Sequence, residues 1–209
     1  MSNIMGMEKV SLAERKLDSK LQIRTVGLRE WGSNTPAYNR YEATPYSALD
    51  KLFQLYTFEK NDRLVDFGCG RGRVTFYVHN KFNIPVTGVE AHDKTFEEVL
   101  KNKRTYRKKR QHIKAPITLE YALAEQYEID ENDNCFYFFN PFSIKIFKRV
   151  ISNILKSVKE NCRTVELILY YPLPEFKEYL RVSTPFEMIN KVKVAGDHGK
   201  YGKFVIYRN

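Results

Sequence analysis

The chain has 209 residues, 43% of them hydrophobic and 14% aromatic, with a net charge of +10. That length suits one domain with a full α/β core, the composition excludes a disordered chain, and no apolar run reaches the roughly 20 residues that cross a bilayer, so no membrane partner is expected. Three cysteines (Cys69, Cys135, Cys162) and four scattered histidines (His79, His92, His112, His198) show neither a disulfide framework nor paired-ligand spacing; the expectation is reduced thiols in a cytoplasmic protein that binds no metal.

Residues 1–36 are expected to form an N-terminal extension and residues 37–209 the domain proper. Within the extension Leu12, Leu17, Leu21 and Ile23 keep no settled period, so a helix or a strand lying over the site both remain open. Trp31 ends it, just before a turn-like stretch at 32–36. Thr44 and Pro45 have the types of a helix N-cap and first helical residue, and Leu49, Leu52, Phe53 and Tyr56 then share one helical face over residues 45–56.

Residues 64–67 are a short apolar strand with Asp66 near its end, opening into Gly68-Cys69-Gly70-Arg71-Gly72 and then a helix over 74–81. Strand, glycine loop and helix in that order form the nucleotide-binding corner of a Rossmann-like sheet. A dinucleotide fingerprint would place its third glycine at Arg73, and a P-loop would need Gly-Lys-Ser/Thr, which is absent. The next strand, 84–90, ends in Glu90, 18 residues past Gly72. A carboxylate there can accept hydrogen bonds from both ribose hydroxyls of a nucleoside.

A helix over 95–109 follows, with Phe96, Val99, Leu100 and Lys103 expected inward. Its end and the next loop form a basic run at 101–114: Lys101, Lys103, Arg104, Arg107, Lys108, Lys109, Arg110 and Lys114, with no acid. That run is either a grip for a nucleic-acid phosphate backbone or a solvated helix face with a loop. A strand at 117–122 precedes Leu123 and Ala124. The aromatic run 134–139 is suited to a strand buried on both faces and ends in Asn140-Pro141-Phe142-Ser143. Then come an amphipathic helix over 144–160, a strand at 164–171 broken by Pro172 and Pro174, a short helix, and two closing strands at 186–194 and 203–207 joined by the turn-rich stretch 195–202.

The run Asp66-x-Gly68-x-Gly70-x-Gly72, with Glu90 in place after it, resembles the first motifs of class I S-adenosylmethionine (AdoMet)-dependent methyltransferases. The resemblance covers about residues 38–209 and implies a Rossmann-like, seven-stranded, mostly parallel sheet with an antiparallel C-terminal hairpin strand and helices on both faces. It implies AdoMet as cofactor, with the loop of Gly68, Cys69, Gly70 and Gly72 around the methionine half, Asp66 near its amino group and Glu90 on the ribose. In several N-methyltransferases a Tyr-x-x-Thr-Pro stretch closes over the cofactor, and Tyr41, Thr44 and Pro45 are similar to it. An acid that often reads the adenine amino group is replaced by Leu123, leaving the backbone of Leu123 and Ala124 for that task. Asn140-Pro141-Phe142 resembles the Asn-Pro-Pro-Tyr/Phe motif of amino-group methyltransferases, with one proline where the family has two. There the Asn oxygen and a proline carbonyl accept from the target nitrogen and the ring stacks on the substrate. The same tetrapeptide also suits a plain strand-to-helix turn in which Asn140 caps backbone and Phe142 packs.

Three functions follow as expectations. The first is AdoMet-dependent methyl transfer, to a nitrogen on an acceptor left unspecified. The second is a nucleic-acid-binding module on a catalytically degenerate scaffold. The third is a small-molecule methyltransferase whose positive charge is incidental.

Overall fold

The computed structural model describes residues 2–30, 37–194 and 202–209, and for residues 2–11 the helical backbone alone. Trp31, the 32–36 turn and residues 195–201 with His198 lie outside the described residues. The elements are α1 Ser2–Leu21, α2 Tyr46–Leu52, β1 Leu64–Phe67, α3 Arg73–Phe82, β2 Val86–Glu90, α4 Asp93–Lys109, β3 Ile117–Tyr121, β4 Cys135–Phe139, α5 Ile144–Glu160, β5 Glu166–Tyr170, α6 Pro174–Ser183, β6 Glu187–Lys193 and β7 Lys203–Arg208.

The strands form one seven-stranded sheet in the order β3-β2-β1-β4-β5-β7-β6. The first five pair in parallel, while β7 runs antiparallel to both β5 and β6. This is the expected sheet, and its order reverses between β1 and β4, where a crevice opens beyond the carboxyl ends of the strands. Alternate strand residues feed two apolar layers. Leu64, Cys135, Tyr137 and Ile168 face α1 to α4. Val65, Phe136, Phe138 and Leu167 face α5 and α6. The α5 stripe is buried as its spacing requires, and the Phe147 ring stacks on Phe176 at 4.2 Å between centroids.

Three expectations are corrected. The Thr44 hydroxyl does not cap α2; it is buried and bonded to the Tyr137 hydroxyl at 2.8 Å, a tertiary partner that outcompetes the local cap. That helix stops at Leu52, and Phe53 turns out of it to join an aromatic cluster with Tyr56, Phe58 and Phe82. On α4 the buried face is Thr95, Val99, Asn102 and Tyr106. Leu100 is 37% exposed there because Asn102 turns inward to donate to the Arg24 and Arg71 carbonyls. No described helix is long and apolar enough to cross a membrane.

The extension is helical and then extended. Asp18, 3% exposed, accepts from the Thr25 amide, the Thr25 hydroxyl and the Tyr46 hydroxyl. Arg73 completes the cluster by pairing with Glu14 and with Asp18. A buried carboxylate so surrounded has its hydrogen-bonding capacity satisfied and fixes the arm against α2 and α3.

Candidate active site

The site begins where β1 ends. The amides of Gly68 and Cys69 both donate to the Val89 carbonyl, at 2.9 and 3.0 Å, which ties the glycine loop to β2. Gly68 and Gly70 sit at φ +71° and +57°, where a side chain is strained. A Cβ on Gly68 would lie 2.6 Å from Pro141, and one on Gly70 would run into the Tyr41 ring. The loop is thus pressed between two other segments, Tyr41 on one side and the Asn140-Pro141 turn on the other. Gly72 ends the loop against Phe76 and Val99.

Asp66 points into the fold. It accepts from the Thr75 hydroxyl at 2.8 Å and from the Thr75 amide, so it caps the first turn of α3, where Gly72 has no side chain to do so. Burial pushes its carboxyl up to about 7, with Glu90 adding to the rise and the Thr75 donors opposing it. An orphaned helix N-terminus thus engages the Asp66 carboxylate, a partner that the motif does not announce. Cys69 is also turned inward, against Gly88, and burial holds its thiol well above the usual range.

Glu90 sits where its strand position places it, on the wall of a cleft bounded by Arg29, Tyr38, Tyr41, His92 and Ala124. One carboxylate oxygen accepts from the Gly70 amide at 2.9 Å and the other from the His92 amide at 2.8 Å. Two oxygens offer about four acceptor positions, so each retains capacity for a ligand hydroxyl. Burial raises the Glu90 carboxyl above its ordinary range, against the pull of those amides. Val89, Ala91, Ala122 and Ala124 give the cleft short apolar walls that suit a flat base. Leu123 is 38% exposed and Ala124 is buried in a 3-10 turn. The residues present therefore fit the nucleoside half of AdoMet.

The acceptor-side triplet is divided. Phe142, 1% exposed, packs its ring on Phe138 and Tyr38 inside the apolar layer, so the expected stacking on a substrate is corrected: the core takes the ring. The Pro141 carbonyl accepts from the Asn39 amide at 3.0 Å and the Asn140 carbonyl from the Asn39 side chain at 2.8 Å. The expected carbonyl acceptor thus already holds one donor, the Asn39 amide. Asn140 itself has φ +39°, and its Oδ1 is buried with no partner among the described residues.

Several site residues carried no signal in the sequence. Tyr38 bridges to Phe142 and donates to Glu125 at 2.8 Å, and Arg29 pairs with Tyr41 through the backbone while its guanidinium meets Glu98. Arg71 and Arg73 belong to the glycine stretch yet work on the arm. Arg71 bonds Glu98 and the Val26 carbonyl, and Arg73 bonds Thr25 and the Thr44 carbonyl. Thr44 itself stays below the surface, 2% exposed and away from the cleft walls, whereas Tyr41 roofs the loop. The Tyr41 hydroxyl donates to the Thr25 carbonyl, and Arg71 lies 4.9 Å from its ring centroid.

No family model matches the chain, and no curated protein matches it in sequence. Solved structures do match its fold. The [4+2]-cyclase SpnF is 14% identical with a TM-score of 0.60, over 92% of this chain and 93% of that one. A human methyltransferase 10 domain containing protein is 13% identical with a TM-score of 0.59, over 96% of each. A precorrin-6y C5,15-methyltransferase from Geobacter metallireducens is 14% identical with a TM-score of 0.54, over 80% of this chain and 87% of that one. The chain therefore has the fold of the class I methyltransferases, and one protein similar to it is a cyclase.

Proposed function

We propose that this protein is an AdoMet-dependent methyltransferase acting on a nitrogen. The observation that carries the cofactor half is Glu90: a buried carboxylate, pinned by two amides at the carboxyl end of β2, with acceptor capacity left over on the wall of a cleft. A chain with no use for a ribose would gain from replacing such an acid, since its burial opposes its charge. That favours a working cofactor site over the degenerate scaffold.

AdoMet, when bound, supplies a methyl group already activated on a sulfonium. The chain then needs only to hold the acceptor in line with it and exclude water. Asn140 Oδ1, on the residue between the cleft-lining Phe139 and Pro141, is the candidate for the first task. An unpaired buried acceptor costs about 1–3 kcal/mol, and a substrate N–H removes that cost while fixing the nitrogen lone pair toward the methyl carbon. Tyr41 covers the glycine loop and, with Arg29 on the cleft wall, serves the second task.

The test is transfer of tritiated methyl from AdoMet to fractionated RNA, protein and small-molecule extracts, with the product identified by mass spectrometry. An N-methyl product is expected. Asn140→Gly, chosen because glycine keeps the positive φ without strain, should lower turnover at least tenfold and leave AdoMet affinity unchanged. Methyl on oxygen or carbon, or full turnover by Asn140→Gly, overturns the nitrogen assignment.

A further inference from the structure

The eight Lys and Arg side chains of 101–114 have no carboxylate within ion-pair distance among the described residues, whereas Arg29, Arg63, Arg71, Arg181 and Arg208 each hold one and Arg73 holds two. Part of the run is structural. Arg107 donates to the carbonyls of Ile113 and Ala115 at 2.9 and 2.7 Å and so folds the loop after α4 back on the helix. That fold creates a groove lined by Arg104, Arg107, Lys108, Gln111, Ile113 and Lys114. Arg107 keeps further N–H donors unused there.

The exposed remainder is ordered. Lys94, Lys101, Arg104 and Lys108 are all exposed and fall on one side of α4, with Asp93 and Glu97 interrupting the first turn of the stripe. From Lys94 to Lys108 is 14 residues, about 21 Å of helix at 1.5 Å each. The stripe starts beside the cleft, since His92 both caps α4 and lines the cleft wall, and it ends at the groove. Burial and the Arg107 charge hold the Lys103 ammonium below its usual range, as expected where like charges crowd. The opposite side of the helix is in the core, and the one large apolar side chain it exposes is Leu100, so α4 lacks the apolar face of a membrane-lying helix.

We propose that this stripe and groove form a track for the phosphate backbone of a nucleic acid, running from the mouth of the cleft to the far end of α4. About 21 Å accommodates about six phosphates of one strand. The inference goes beyond methyl transfer: the track is separate from the cleft, and binding along it does not require AdoMet.

The test is fluorescence anisotropy with a fluorescein-labelled 21-nucleotide RNA, single-stranded and as a duplex, and with the same sequence as DNA, between 50 and 300 mM salt. The probe variant is Lys101→Glu/Arg104→Glu/Lys108→Glu. Its control is Lys145→Glu/Lys148→Glu/Lys159→Glu on α5, which changes net charge equally on the other face. The expected result is salt-sensitive binding by the wild type, lost at least tenfold in the α4 variant, with the salt slope reduced by about 2, and changed less than threefold in the control. Binding of RNA alone, of DNA alone or of both supports the track and identifies which polymer it takes. Equal losses in both variants, or binding of anionic vesicles with no binding of any nucleic acid, overturns it. Circular dichroism and AdoMet calorimetry on the same variants separate the two readings. A wild type that binds nucleic acid but not AdoMet refutes methyl transfer and keeps the track, and one that binds AdoMet but no nucleic acid does the reverse.

Discussion

Asp66 shows how a motif residue can carry a structural task that its motif does not announce. Its carboxyl is raised to about 7 by burial, above the ordinary value near 4. Folding therefore takes up a proton through this group, and the stability it contributes is present below about pH 4 and lost as pH rises through about 7. Asp66→Asn keeps an oxygen for the Thr75 hydroxyl and removes the titration. Urea unfolding should then show the variant gaining on the wild type between pH 4 and 7, with a constant difference above pH 8; a difference that ignores pH would mean that Asp66 stays ionised throughout. The places of Glu90 and of the glycines were legible in the sequence because strand position and φ fix them. Asp66, Thr44 and Phe142 were not. Thr44 and Phe142 are claimed by partners distant in the chain, Tyr137 and Tyr38, and Asp66 by Thr75 in the first turn of the next helix, and no hydrophobic period encodes those pairings.

At the level of elements, β1 to β5 and α5 followed directly from apolar runs and helical spacing, because burial on two faces or one leaves a periodic trace. The N-terminal arm left none. Its docking depends on a polar cluster around Asp18, in which Thr25, Tyr46, Glu14 and Arg73 meet, and polar clusters have no period. Asp18→Ala removes the acceptor of four hydrogen bonds, from the Thr25 amide and hydroxyl, the Val26 amide and the Tyr46 hydroxyl, and leaves Arg73 one counter-charge fewer. A loss of about 3–5 kcal/mol is expected in urea unfolding, with faster tryptic cleavage at Arg24 and Arg29. On the other face Phe147→Ala should cost about 3–5 kcal/mol by cavity formation, and should leave cleavage at Arg24 unchanged. Equal proteolysis of the two variants would show that the arm is not held by Asp18.

For the whole molecule, the sheet order fixes where a ligand lies but not what reaction follows, since a [4+2]-cyclase is among the proteins of similar fold. The chain divides the work between its two ends. Arm and glycine loop are joined by Arg71 and Arg73, so a ligand seated under Tyr41 stabilises both together. AdoMet at 100 times its dissociation constant should raise unfolding stability by about 2.7 kcal/mol. The most direct measurement is calorimetric titration of the wild type and of Glu90→Gln with AdoMet. Saturable binding by the wild type, weakened about tenfold or more in Glu90→Gln by loss of a charge-assisted hydrogen bond, is the expected result. A folded wild type that binds no AdoMet at millimolar concentration, or a Glu90→Gln variant that binds as well as the wild type, would contradict the assignment of this cleft to the cofactor.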